Sequence, residues 1–195
     1  DEYTRFRELS RAFAEWDNFN HKTACDILKQ YAPSLPENYK AYLNVVMRLS
    51  DNKPEKREAA CLFDLYRNAQ RRAAQGRYDD AVARAYRLIE WTAQWLLETQ
   101  CGIKTGDIKL EQLPDTLPLK SNRNGVIQAG LFDAWQLVKQ KTDGTAAQFI
   151  SSQENTLLNH LKTRNVSILA HGFSPIQAGA WQPIQDWLEV HFIPM

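Results

Sequence analysis

Two side chains in this sequence have types and a spacing that suit phosphate chemistry. Arg164 and His171 are seven positions apart. Seven residues make two turns of an α-helix, so on a helix both side chains lie on one face, separated by roughly 10 Å along the axis. The arginine side chain is long enough to lean across much of that gap. A phosphate between them would meet a guanidinium and an imidazole at once.

These are the groups that metal-free RNA cleavage uses. The ribose 2′-hydroxyl attacks the adjacent phosphorus and the 5′-oxygen leaves. An imidazole titrates near neutrality and can serve as general base or general acid. A guanidinium stays charged and offers a planar fork to the phosphate oxygens of the crowded transition state. Asn165 adds a neutral amide beside the arginine, able to orient one of the two. Gly172 would place His171 at a helix C-terminus, where the dipole favours the protonated ring and suits a general acid. Spacing alone is weak support, because an Arg and a His seven apart are common. The plain reading is a helix-end histidine and a surface arginine.

The elements around the pair are helical throughout. Phe6, Leu9, Phe13 and Trp16 recur at three- and four-residue steps, which predicts an amphipathic helix over 4–18. Asn20 is expected to cap a helix over 21–31, ending before Pro33. Pro36 opens a helix over 36–50 carrying Tyr39, Leu43, Val46 and Met47. A long helix from Pro54 to Gln75 meets Gly76, where a left-handed residue is wanted. The next runs from Tyr78 to about Thr99, with Asp79 and Asp80 in its first turn and Val82, Tyr86, Ile89, Ala93, Leu96 and Leu97 as its buried stripe. The short turn between them predicts an antiparallel hairpin.

Residues 103–124, with Pro114 and Pro118, read as a long loop containing one short helical turn. A helix is expected over 125–141 with Ile127, Leu131, Trp135 and Val138. The stretch 145–171 is largely helical with breaks. Ser174 caps and Pro175 opens a final helical stretch that Pro183 is expected to interrupt. The whole predicts an all-α chain, with a helical segment over 1–52 preceding a bundle over 53–195.

The net charge of +1 does not advertise a dedicated nucleic-acid binder, though an enzyme needs only a local positive patch. Cys25, Cys61 and Cys101 match no zinc spacing and are expected as reduced thiols in a cytoplasmic protein. No secretory leader and no apolar run of roughly 18–20 residues is present, so no membrane span is expected. The chain begins at Asp1 rather than Met, which suggests a piece of a longer protein. No metal or cofactor pattern is visible.

Arg164, then the polar Asn165, then a short variable stretch ending at His171, resembles the active-site signature of HEPN-type ribonucleases. It lies late in the chain, before a final helix, as in those domains. A second stretch, NAQRRAAQGRYDDAVARAYRLIE over residues 68–90, is similar to the helical hairpin of a CRISPR-associated family that joins an N-terminal CARF sensor to a C-terminal HEPN domain. The resemblance covers roughly residues 55–195.

It implies a HEPN bundle with metal-independent endoribonuclease activity on single-stranded RNA in type III CRISPR defence. It implies Arg164, Asn165 and His171 as site residues, and a homodimer in which two motifs form one composite site. It also implies activation by a cyclic oligoadenylate through a CARF domain. That domain is absent from this chain, which has neither alternating strands nor a glycine-rich loop.

Rival readings are a non-catalytic HEPN module for dimerisation or RNA binding, the HEPN toxin of a toxin–antitoxin pair, and a helical scaffold unrelated to RNA. The arginines of the hairpin, Arg67, Arg71, Arg72, Arg77, Arg84 and Arg87, read either as an RNA track or, preferably, as a solvated face. His160, one turn before Arg164, reads as a surface residue or as a second proton-transfer group. The tryptophans are expected in the core or at an interface.

Overall fold

The computed structural model describes residues 1–165 and 175–195, with backbone only for Glu55, Thr163, Arg164 and Asn165. The fold is all-α: eight helices, α1 Glu2–Asp17, α2 His21–Tyr31, α3 Glu37–Leu49, α4 Pro54–Ala74, α5 Tyr78–Cys101, α6 Leu131–Lys141, α7 Thr145–Asn165 and α8 Ala178–Trp187, are found among the described residues. The chain divides into two compact units, Asp1–Asp64 and Leu65–Met195, and the division falls within α4.

In the first unit Ala12, Trp16, Ala24, Cys25, Ile27, Leu28, Val46 and Leu49 form a core, flanked by Leu9, Phe13, Leu43 and Cys61. The apolar spacing of α1 and α3 is only partly used. Phe6 is 70% exposed and Met47 45%, because three short helices cannot cover a full stripe on each. Phe13, Trp16, Tyr39 and Tyr42 meet edge-on or stacked, with centroids 5.7–6.2 Å apart. Asn20 occupies the N-cap of α2 but makes no side-chain cap bond; its amide donates to Glu15 instead, at 2.8 Å.

One buried carboxylate organises this unit. Asp64 on α4 accepts from the Trp16 indole at 2.9 Å and pairs with His21 Nε2 at 3.0 Å. Burial of the imidazole opposes its charge, but Asp64 and the neighbouring Cys61 side chain outweigh it and raise His21 to about 9.

The second unit is built on α5. All six residues of its expected stripe, Val82, Tyr86, Ile89, Ala93, Leu96 and Leu97, are buried. Helix α6 packs against it through Trp135, fully buried, whose indole donates to the Ile89 carbonyl at 3.1 Å. Trp135, Phe149, Trp187 and Phe192 share one ring cluster. Trp181 and Trp187 are thus core residues of the unit itself. Gly76 takes a φ of 74°, the left-handed turn expected after α4, and Gly102, with a φ of 65°, ends α5 in the same way.

Three expectations need correction. The helix expected over 125–141 begins only at Leu131, because Ile127 pairs in isolated antiparallel bridges with Ile108 and Ser121. The final helix starts at Ala178 with Gln177 as N-cap, after an irregular 175–177; Ser174 lies outside the described residues. Pro183 does not interrupt that helix. Only one intrahelical donor is lost there, and burial of Trp181, Ile184 and Trp187 holds the turn. Helix α8 then widens into a π-helical turn, Leu188–Phe192. Glu189 of this turn accepts from Tyr66 at 2.7 Å and from Gln70 at 2.9 Å, tying it to the second half of α4.

Candidate active site

Helix α7 supplies the upstream half of the candidate site. Ile150 and Leu157 are fully buried on its inner face, and Lys139 of α6 reaches Glu154 at 2.7 Å. These contacts fix the helix axis, and its last turn carries the backbone of Arg164 and Asn165. The helix expected through 145–171 is therefore present as far as Asn165. His171 and Gly172 lie outside the described residues.

One turn before Arg164, the His160 ring packs on Trp187 with centroids 5.1 Å apart. Trp187 is itself oriented by Gln153 of α7, which accepts from its indole at 2.8 Å. His160 Nε2 is sealed from solvent and has no hydrogen-bond partner among the described residues. Desolvation lowers the pKa of this imidazole, so the neutral ring is favoured. His160 is half-buried rather than an open surface residue, and its ring packs the last turns of α7 against the C-terminal helix.

The chain returns to the bundle at Ile176, whose amide donates to Asp79 Oδ2 at 3.1 Å. Asp79 lies in the first turn of α5. Beside it, Asp80 pairs with Arg77 and Arg84, and Arg84 donates to Asn68, which is fully buried. The hairpin arginines are mostly engaged within the hairpin. Arg87 reaches Glu90 and Gln94, each at 3.2 Å, and lies over Trp91. Arg67 bonds Gln70 at 2.8 Å. That pattern fits a solvated, internally paired face better than a track for RNA. Among the described residues no three His, Cys, Asp or Glu side chains are grouped so as to hold a metal ion.

A family model described as the Csm6 HEPN domain matches residues 50–192, well over half of the chain. The chain belongs to the Csm6 HEPN-domain family. The match takes in α4 to α8, the hairpin and the whole Arg164–His171 motif, and the all-α architecture agrees with it. No curated protein matches the chain. Membership places the protein in a CRISPR-associated HEPN nuclease family, for which RNA is the expected substrate and pairing of HEPN domains the expected context. No described helix is long and apolar enough to cross a membrane.

Two features around the candidate site were not readable from sequence. Asp79 reads as a favourable charge at a helix start, and nothing local to it announces a partner 97 residues away. His160 lies between Asn159 and Leu161, and nothing in that local sequence announces its ring contact with Trp187, 27 positions away.

Proposed function

We propose that this domain is a metal-independent endoribonuclease acting on single-stranded RNA, with Arg164, Asn165 and His171 as its catalytic residues. The observation that carries the reading is that the motif falls within the family match, with Arg164 and Asn165 in the last turn of a helix anchored on both sides. In the reaction the 2′-oxygen bonds to phosphorus and the P–O5′ bond breaks. The proton leaving the 2′-hydroxyl is taken by a base, and one is delivered to the departing 5′-oxygen. His171 transfers a proton, Arg164 neutralises the extra charge on the pentacovalent phosphate, and Asn165 orients one of them. The products are a 2′,3′-cyclic phosphate and a 5′-hydroxyl.

One histidine per protomer supplies only half of the acid–base pair, so two protomers form the working site. Residues 1–52 serve as the approach from a CARF sensor that binds a cyclic oligoadenylate, and the whole acts in cytoplasmic antiviral defence. The reading is tested with an RNA carrying a single 2′-deoxynucleotide at the cleaved position. Cleavage there should stop, while the all-ribose strand yields cyclic-phosphate ends. Cutting of the deoxy strand at that bond would reject 2′-hydroxyl attack.

A further inference from the structure

We infer that Cys61, held beside the His21–Asp64 pair in the first unit, is a nucleophilic thiol and a modification site for the disulfides of low-molecular-weight thiols. This chemistry does not depend on RNA cleavage. Cys61 and Asp64 stand three positions apart on α4, so their side chains share one face. Both reach the ring of His21, the first residue of α2. His21 Nε2 meets Asp64 Oδ2 at 3.0 Å, and the Cys61 side chain is a further hydrogen-bond partner of the same ring. Asp64 is itself fixed by the Trp16 indole, which donates to Oδ1 at 2.9 Å. A held carboxylate thus orients an imidazole, and the imidazole touches a thiol, the arrangement that activates a cysteine nucleophile.

Two further observations single out this cluster. Phe19, two residues before His21, has a φ of 63°, alone among the described non-glycine residues in being positive. A bulky side chain rarely adopts that left-handed backbone, and such strain collects where groups are held for chemistry. The Phe19 ring lies edge-on to the imidazole, centroids 5.9 Å apart. The three cysteines are also unlike one another. Cys25 is 2% exposed in the core. Cys101 donates to the Lys141 carbonyl at 3.3 Å, and burial pushes its thiol up. Cys61 is partly exposed and faces a ring that carries its proton at neutral pH: burial opposes that charge, but Asp64 and Cys61 outweigh it and raise His21 to about 9. Sulfur attacks in its anionic form, which a neighbouring positive charge favours. In the exchange the Cys61 sulfur bonds to one sulfur of the disulfide as the original S–S bond breaks. Cys61 is oxidised to a mixed disulfide. The departing half is reduced to a thiol and takes up the proton that Cys61 gives, so no other oxidant is consumed.

The test exposes the folded protein to oxidised glutathione at neutral pH and follows the mixed disulfides at Cys25, Cys61 and Cys101 by peptide mass spectrometry. The same run on chain unfolded in urea gives each thiol its unshielded rate. In the folded protein Cys61 should react at least about tenfold faster than Cys101 and Cys25, and faster than it does unfolded. In urea the three should react alike. His21→Gln keeps a polar side chain but removes the charge, and it should erase the advantage of Cys61. A Cys61 that reacts no faster than Cys101, or more slowly folded than unfolded, would overturn the assignment, as would an advantage kept in His21→Gln. Cys25 reports the fold of that variant. If it becomes reactive there, the variant has opened, and the wild-type comparison of folded with unfolded chain decides alone.

Discussion

His160 and Trp187 lie ring to ring, 5.1 Å between centroids, one helical turn before the arginine of the motif. The contact joins the last turns of α7 to the C-terminal helix, and it does so with a half-buried imidazole whose Nε2 is sealed from solvent. Two consequences are measurable.

Acid should weaken the second unit through His160. Its folded pKa is lowered by desolvation from the ordinary 6.5, so as pH falls below that value the unfolded chain binds a proton that the folded chain resists. Stability is therefore lost from about pH 6.5 downward. His160→Phe keeps a ring on Trp187 and removes the titration. Thermal melts of the variant should lose part of the decline seen in wild type between about pH 6.5 and 5. An identical decline would assign it elsewhere. His160→Ala should cost about 2 kcal/mol at neutral pH, from lost ring packing.

His21 behaves in the opposite sense. Its pKa is raised to about 9 against an ordinary 6.5, so the folded first unit holds a proton that the unfolded chain releases. The contribution is complete below about pH 6.5 and fades as pH rises towards about 9, amounting to something on the order of 3 kcal/mol. Asp64→Asn removes the partner charge while keeping a polar group for the Trp16 indole. It should destabilise the unit by roughly 3 kcal/mol and flatten this alkaline slope in denaturant unfolding followed at several pH values. A slope that survives in Asp64→Asn would contradict the pairing.

Truncating Trp135 tests the core of the second unit. The side chain is fully buried and bonds the Ile89 carbonyl, so Trp135→Ala should cost about 4 kcal/mol. Trp91, which is only partly buried and lies under Arg87, should lose much less as Trp91→Ala. Chemical denaturation of the two variants ranks them directly, and equal losses would argue against the packing described.

Arg87 distinguishes an RNA track from a solvated face. Because its guanidinium is shared by Glu90, Gln94 and the Trp91 ring, Arg87→Ala should change RNA affinity by less than about threefold, with little change in its salt dependence. A tenfold loss with a shallower salt slope would restore the track.

The helices were legible because their signals are local. The stripe of α5 is an unbroken three- and four-residue pattern, and Gly76 and Gly102 mark its boundaries through their positive φ. The start of α6 was misjudged because Ile127 fits a helical period equally well, whereas its bridges to Ile108 and Ser121 depend on residues six to nineteen positions away. Pro183 was misread because proline propensity counts one lost bond and cannot count three buried neighbours. The motif was legible as a set of residue types. The groups that hold its surroundings, Asp79 for the return at Ile176 and Trp187 for His160, are long-range partners that no spacing rule finds.

The central claim is that Arg164 and His171 cut RNA without a metal. The most direct measurement is cleavage of an end-labelled single-stranded RNA in excess EDTA by wild type, Arg164→Ala and His171→Ala. Wild type should cut, and each variant should lose at least about a hundredfold in rate, the scale of a lost general acid–base group or charge-stabilising donor. Cutting abolished by EDTA, or unchanged in both variants, would contradict the claim.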